Sequence, residues 1–113
     1  MSLSHNASGF LGTALLALLP LSFSLAAAPS AERQDELEHL LTQDCGACHG
    51  LYLTGGLGPS LTRPALAGKT RASLIATITE GRPGTPMPSW KPLLSEPDIA
   101  WLVDLLQTRE PRP

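Results

Sequence analysis

The residues with the most evident chemistry are Cys45-Gly46-Ala47-Cys48-His49, two thiols three positions apart with an imidazole directly after the second. On a helical turn such a pair reaches the two vinyl groups of one haem, and the histidine then falls beneath the iron as proximal ligand. Three other chemistries use the same pair: a structural disulfide, a thioredoxin-like redox couple, or half of a zinc site. Zinc needs two further Cys or His ligands, and beyond the N-terminal segment only His39 remains, on the polar side of its helix. A redox couple follows a strand and opens a helix, whereas this pair closes a helix in a chain without strand patterns. Covalent attachment of haem c is the chemistry the motif favours. A second candidate metal ligand is Met87, the one methionine besides Met1. It stands in Gly84-Thr85-Pro86-Met87-Pro88, where the flanking prolines pre-set the backbone around a thioether. A lone methionine elsewhere is an adaptable core filler.

The elements that must position these groups follow from periodicity. From Ser30 to Cys48 the residues Leu37, Leu40, Leu41, Cys45 and Cys48 recur at three and four, one face of a helix. Glu32, Asp35 and Glu36 lie in its first turns, where the helix dipole favours negative charge. Between Leu51 and Gly68 the pattern stops and Gly55, Gly56, Gly58, Pro59 and Pro64 accumulate, which predicts a long loop with several turns. Thr70 caps a second helix with Leu74, Ile75 and Ile78 on its apolar face and Gly81 as left-handed terminator. Pro83, Pro86, Pro88, Pro92 and Pro97 then forbid a helix or central strand. Ser95-Glu96-Pro97-Asp98 starts the last helix, with Ile99, Leu102, Val103 and Leu106 as its buried face. The predicted class is all-α, three main helices joined by long ordered loops.

The uncharged run from Phe10 to Ala28 has the apolar stretch and small-residue exit of a secretory signal. Cleavage after Ala26 uses Ser24 and Ala26 as the small residues, whereas cleavage after Ala28 would put Pro29 beyond the scissile bond. The segment before the run lacks Lys and Arg, and an uncleaved anchor is the competing reading. The division is a signal peptide over 1–26 and one domain over 27–113. About 87 of the 113 residues then remain, too few to bury much apolar surface without a disulfide, metal or large cofactor. A net charge of -2 with no basic cluster excludes a nucleic-acid role.

With these residues in order, the chain resembles the small single-haem c-type cytochromes over nearly all of residues 27–113. Gly58-Pro59-Ser60-Leu61 is similar to the family's loop after the haem motif. The resemblance implies that the Pro59 carbonyl accepts a hydrogen bond from the His49 ring, and that Met87 is the distal iron ligand opposite His49. It implies the cytochrome c fold around one covalent haem c held through Cys45 and Cys48. Two readings of Trp90 stand side by side: packing on the haem edge with its indole N–H given to a propionate, or covering the core. Arg63, Lys69, Arg82 and Lys91 fall in or beside the haem-facing loops and read as solvated charge or as a basic rim for an acidic partner. One departure is that Leu105 stands where the family's last helix carries Tyr or Phe, with Trp101 nearby to replace it.

Cys45 to Leu51, Gly55 to Pro59 and Gly81 to Pro88 together look like the NirC subgroup, periplasmic cytochromes associated with cytochrome cd1 nitrite reductase in denitrifying bacteria. That resemblance implies an electron carrier rather than an enzyme, loaded by an upstream donor. Two roles follow from it, electron donation to the reductase or a part in making haem d1. An open-site haem enzyme of the peroxidase kind lacks support, because no distal His and Arg pair is evident.

Overall fold

The computed structural model describes residues 1–2 and 27–110, so the export segment read over 1–26 lies outside the described residues but for its first two. Ser30 opens α1 (Ala31–Leu40), its hydroxyl accepting from the Arg33 N–H at 3.3 Å. The helix does not stop at Leu40 but widens into a π turn, Leu41–Cys45, in which the Gly46 N–H reaches back to the Leu41 carbonyl. It ends as α2 (Gly46–His49), so Cys48 and His49 occupy the last turn of one helical rod. The sequence predicts an uninterrupted α-helix here. One wide turn leaves apolar spacing almost unchanged, so periodicity does not reveal it.

The loop predicted from Leu51 to Gly68 contains a short helix, α3 (Arg63–Leu66), with proline in its first turn. Its brevity hides it among the turn residues, yet it buries Leu66. Thr70 caps α4 (Arg71–Glu80), accepting from the Ser73 N–H at 3.1 Å. Ser95 and Asp98 form the expected reciprocal capping box of α5 (Glu96–Thr108). The described residues contain no strand.

One correction concerns the end of α4. Gly81 has positive φ, +69°, but its ψ of -166° is not that of a left-handed helix terminator. Its buried backbone doubles back instead. A Cβ there would stand 2.5 Å from the Pro88 carbonyl carbon, closer than any real contact, so only glycine permits the approach.

The core is formed by Leu37 and Leu41 from the first rod, Leu53, Leu66 and Leu94 from the loops, and Ile99, Leu102, Val103 and Leu106 from α5. Each such side chain contributes about 2 kcal/mol on leaving water. Two ion pairs hold α5 to its neighbours. The Arg33 guanidinium donates to both Asp98 oxygens, at 3.4 and 3.0 Å, and Arg71 does so to Asp104, at 2.6 and 2.9 Å. By contrast α4 buries nothing completely. Leu74, Ile75 and Ile78 pack on the core with one side and leave the rest of their surface open.

Candidate haem site

Because the first rod ends at His49, the chain must turn immediately, and Gly50 does so at φ +93°. The loop then folds back over the helix end. The Gly55 N–H donates to the His49 carbonyl at 2.8 Å and the Gly58 N–H to the Cys48 carbonyl at 2.7 Å. These carbonyls belong to the last helical turn and would otherwise lack partners. Gly58 consequently lies flat on the imidazole. A Cβ on it would stand 2.8 Å from His49 Cε1 and 2.9 Å from Nδ1.

The next residue supplies the acceptor: His49 Nδ1 lies 2.7 Å from the Pro59 carbonyl oxygen. A carbonyl can only accept, so Nδ1 carries the proton and donates. Nε2 is thereby left with its lone pair available to a metal, the tautomer a ligating histidine requires. Leu53 holds the loop from beneath. It is buried at φ +59°, a conformation rare for leucine, and its carbonyl accepts from the Leu61 N–H at 2.8 Å.

Cys45 and Cys48 are free, half-buried thiols. Burial, aided by the neighbouring Asp44 carboxylate, pushes the Cys45 thiol up to about 11. Redox-active Cys-x-x-Cys pairs need the opposite, a thiol lowered toward neutrality, so the microenvironment does not suit disulfide exchange. Among the described residues no three His, Cys, Asp or Glu side chains come together as a cation site. His39 is exposed, away from any such grouping.

Met87 occupies the proline-framed loop that leaves α4. The Arg82 N–H donates to the Met87 carbonyl at 3.1 Å, while the Met87 N–H is 3.3 Å from the Thr85 hydroxyl, which itself donates to the Arg82 carbonyl. This closed turn leaves the Met87 side chain half-buried. Trp90 is also half-buried and packs against the core, and its backbone N–H donates to the Ile78 carbonyl at 3.1 Å. Of the four cations near these loops, Arg63 is engaged by Glu110 at 2.8 Å. Lys69, Arg82 and Lys91 are exposed and form no ion pair with a described residue.

The structure thus brings Cys45, Cys48, His49 and Pro59 together through the loop that folds back on the helix end, and frames Met87 separately at the end of α4. The half-open apolar side chains Leu61, Leu74, Ile75, Ile78 and Trp90 all pack on the core that Cys45 also touches. An imidazole with a fixed tautomer, a framed thioether, two unpaired thiols and an apolar wall fit a covalently held haem. Sequence reasoning misses Ser89, whose hydroxyl donates to the Thr79 carbonyl at 2.6 Å, because an exposed serine in a proline-rich loop carries no distinguishing signal.

Residues 32–106 match the family model described as cytochrome c oxidase, cbb3-type, subunit III. The chain is 61% identical to cytochrome c55X of Stutzerimonas stutzeri over the full length of both. It is 52% identical to cytochrome c55X of Paracoccus denitrificans, over 86% of this chain and 94% of that one. Among solved structures it resembles the c-type cytochrome NirC, at 62% identity and a TM-score of 0.72, covering 75% of this chain and all of that one. A more distant likeness is to dihydro-haem d1 dehydrogenase NirN, at 36% identity and a TM-score of 0.61, covering 66% of this chain and 16% of the larger protein. The chain therefore belongs to the cytochrome c55X family of small NirC-type c-type cytochromes, electron carriers rather than enzymes, each with covalently attached haem c.

Proposed function

We propose that this cytochrome donates electrons one at a time to cytochrome cd1 nitrite reductase in the periplasm, having been loaded by an upstream redox protein. The observation that carries the site assignment is the 2.7 Å bond from His49 to the Pro59 carbonyl. It fixes the proximal ring and raises its electron donation to the iron. Cys45 and Cys48 would hold the haem covalently through their thiols, and Met87 would offer its thioether to the iron. When bound, the haem supplies the one-electron couple. The closed turn around Met87 holds its backbone fixed, so a thioether presented there would need little reorganisation as the electron leaves. Such a ligand also favours the ferrous form more than a second imidazole does, so a fairly high potential is expected. Trp90 packs against the core beside the site, and where its ring also met the haem edge its indole N–H would be available to a propionate.

The 1–26 segment supports export. Among the described residues no helix is long and apolar enough to cross a membrane. Similarity to NirC and to a dehydrogenase named for dihydro-haem d1 supports involvement with the nitrite reductase system. The test is stopped-flow reoxidation of the reduced holoprotein after mixing with cytochrome cd1 and nitrite over a range of ionic strength. Rapid reoxidation that requires both components is the expected result. A rate that falls with salt would show charge-steered docking, for which the exposed Lys69, Arg82 and Lys91 are the candidates.

A second reading is a redox or carrier role in making haem d1. It is favoured by one observation, the recurrence of this domain within dihydro-haem d1 dehydrogenase, of which the matched segment is 15%. No reoxidation by the reductase, from a protein with a normal low-spin spectrum, would select this reading.

A further inference from the structure

The last turn of α4 has carbonyls that no following helical residue can satisfy. Gly81 does not supply the usual cap, and the ligand loop does so instead. The Ser89 hydroxyl donates to the Thr79 carbonyl at 2.6 Å and the Trp90 N–H to the Ile78 carbonyl at 3.1 Å. The Arg82 N–H closes the loop on the Met87 carbonyl. The first two bonds bring the loop at residues 88 and 89 against the α4 terminus, and Gly81 is where it presses. A Cβ there would stand 2.5 Å from the Pro88 carbon, 2.6 Å from the Ser89 nitrogen and 2.7 Å from the Pro88 oxygen. Gly84 contrasts with it: its φ is also positive, but a Cβ there would meet nothing within 4 Å.

The helix cap and the presentation of Met87 are therefore one structure. The loop cannot lift away without exposing the Ile78 and Thr79 carbonyls, and α4 cannot fray without freeing the loop. We propose that Gly81 and Ser89 are positioning residues forming a latch, which sets how often Met87 leaves the iron. This rests on the reading of Met87 as distal ligand. Neither residue touches the metal. Each acts by fixing the backbone on one side of the thioether.

The latch is tested by carbon monoxide binding to the reduced holoprotein, which reports the fraction of time the iron is open, together with a redox titration. Ser89→Ala should accelerate carbon monoxide binding roughly five-fold, the effect of losing one net hydrogen bond, and should lower the potential. Ser89→Thr keeps the hydroxyl and should restore both values. Gly81→Ala should give a larger effect in the same direction. If Gly81→Ala does not yield folded protein, the Ser89 pair alone decides.

Two controls separate the possible failures. Ser73→Ala removes a 2.9 Å hydroxyl bond to the Thr70 carbonyl at the other end of α4 and should leave binding unchanged. Equal acceleration by Ser73→Ala would overturn the latch, since general loosening of the helix would then explain both. Met87→Ala should open the iron fully. If it does, while Ser89→Ala binds carbon monoxide at the parent rate, the latch fails and the ligand assignment stands. If Met87→Ala changes nothing, the ligand assignment itself fails and takes the latch with it.

Discussion

His49 has one ring nitrogen committed to the Pro59 carbonyl and one face covered by Gly58, so two consecutive backbone units set both the tautomer and the plane of a single imidazole. Gly58→Ala is expected to push the ring off its 2.7 Å contact, because the added methyl would overlap Cε1 and Nδ1. The weakened bond should raise the redox potential, and the overpacking should cost about 1–3 kcal/mol. A redox titration alongside a thermal melt checks both, and an unchanged potential would detach the ring's orientation from its electronics. The cysteines, the histidine and the framed methionine are legible in the sequence because their chemistry is carried by residue type and spacing. The Pro59 contact is legible only through resemblance, since a carbonyl is common to every residue. The latch at Ser89 is not legible at all, because nothing in an exposed serine tells which carbonyl it will find.

Among the elements, α5 is the most constrained. Its capping box depends on Asp98, which is nearly buried and also receives the Arg33 guanidinium from α1. That guanidinium, with lesser help from Ser95, holds the Asp98 carboxyl below the ordinary carboxylate range. A carboxyl depressed in the folded state contributes stability that is complete above its unfolded value of about 4 and is lost as pH falls through its folded value. Thermal melts should therefore be flat from neutral pH down to about 5 and fall steeply below about 4. Asp98→Asn should be less stable at neutral pH and should show a shallower acid limb. Equal acid limbs would remove Asp98 from the account. The three main helices, their caps and the α5 face follow from periodicity and capping chemistry. Short α3 and the π turn do not, because a single turn gives too few residues for a period to emerge. The true conformation of Gly81 also escapes the sequence, since glycine allows several positive-φ states and only the neighbouring chain selects one.

In the whole molecule, nine apolar residues of the described chain are buried, and α4 presents an apolar side that protein atoms cover only in part. A core this small leaves little margin over the conformational entropy of the chain that must fold around it. Replacing Cys45 and Cys48 together with alanine should abolish covalent haem, read as loss of haem stain on a denaturing gel. It should also leave the apoprotein largely unfolded by circular dichroism. A helical, cooperatively melting double variant would show that the nine-residue core suffices. Four of those nine buried residues lie on α5, and both interhelical ion pairs end there, yet α5 follows every other described helix. The order of synthesis then matters: a growing polypeptide that has emerged only as far as Leu94 has Leu37, Leu41, Leu53, Leu66 and Leu94 but nothing to close over them. Such a chain stays pliable until α5 arrives, which leaves Cys45 and Cys48 within reach of a reactant as large as a haem before the structure closes.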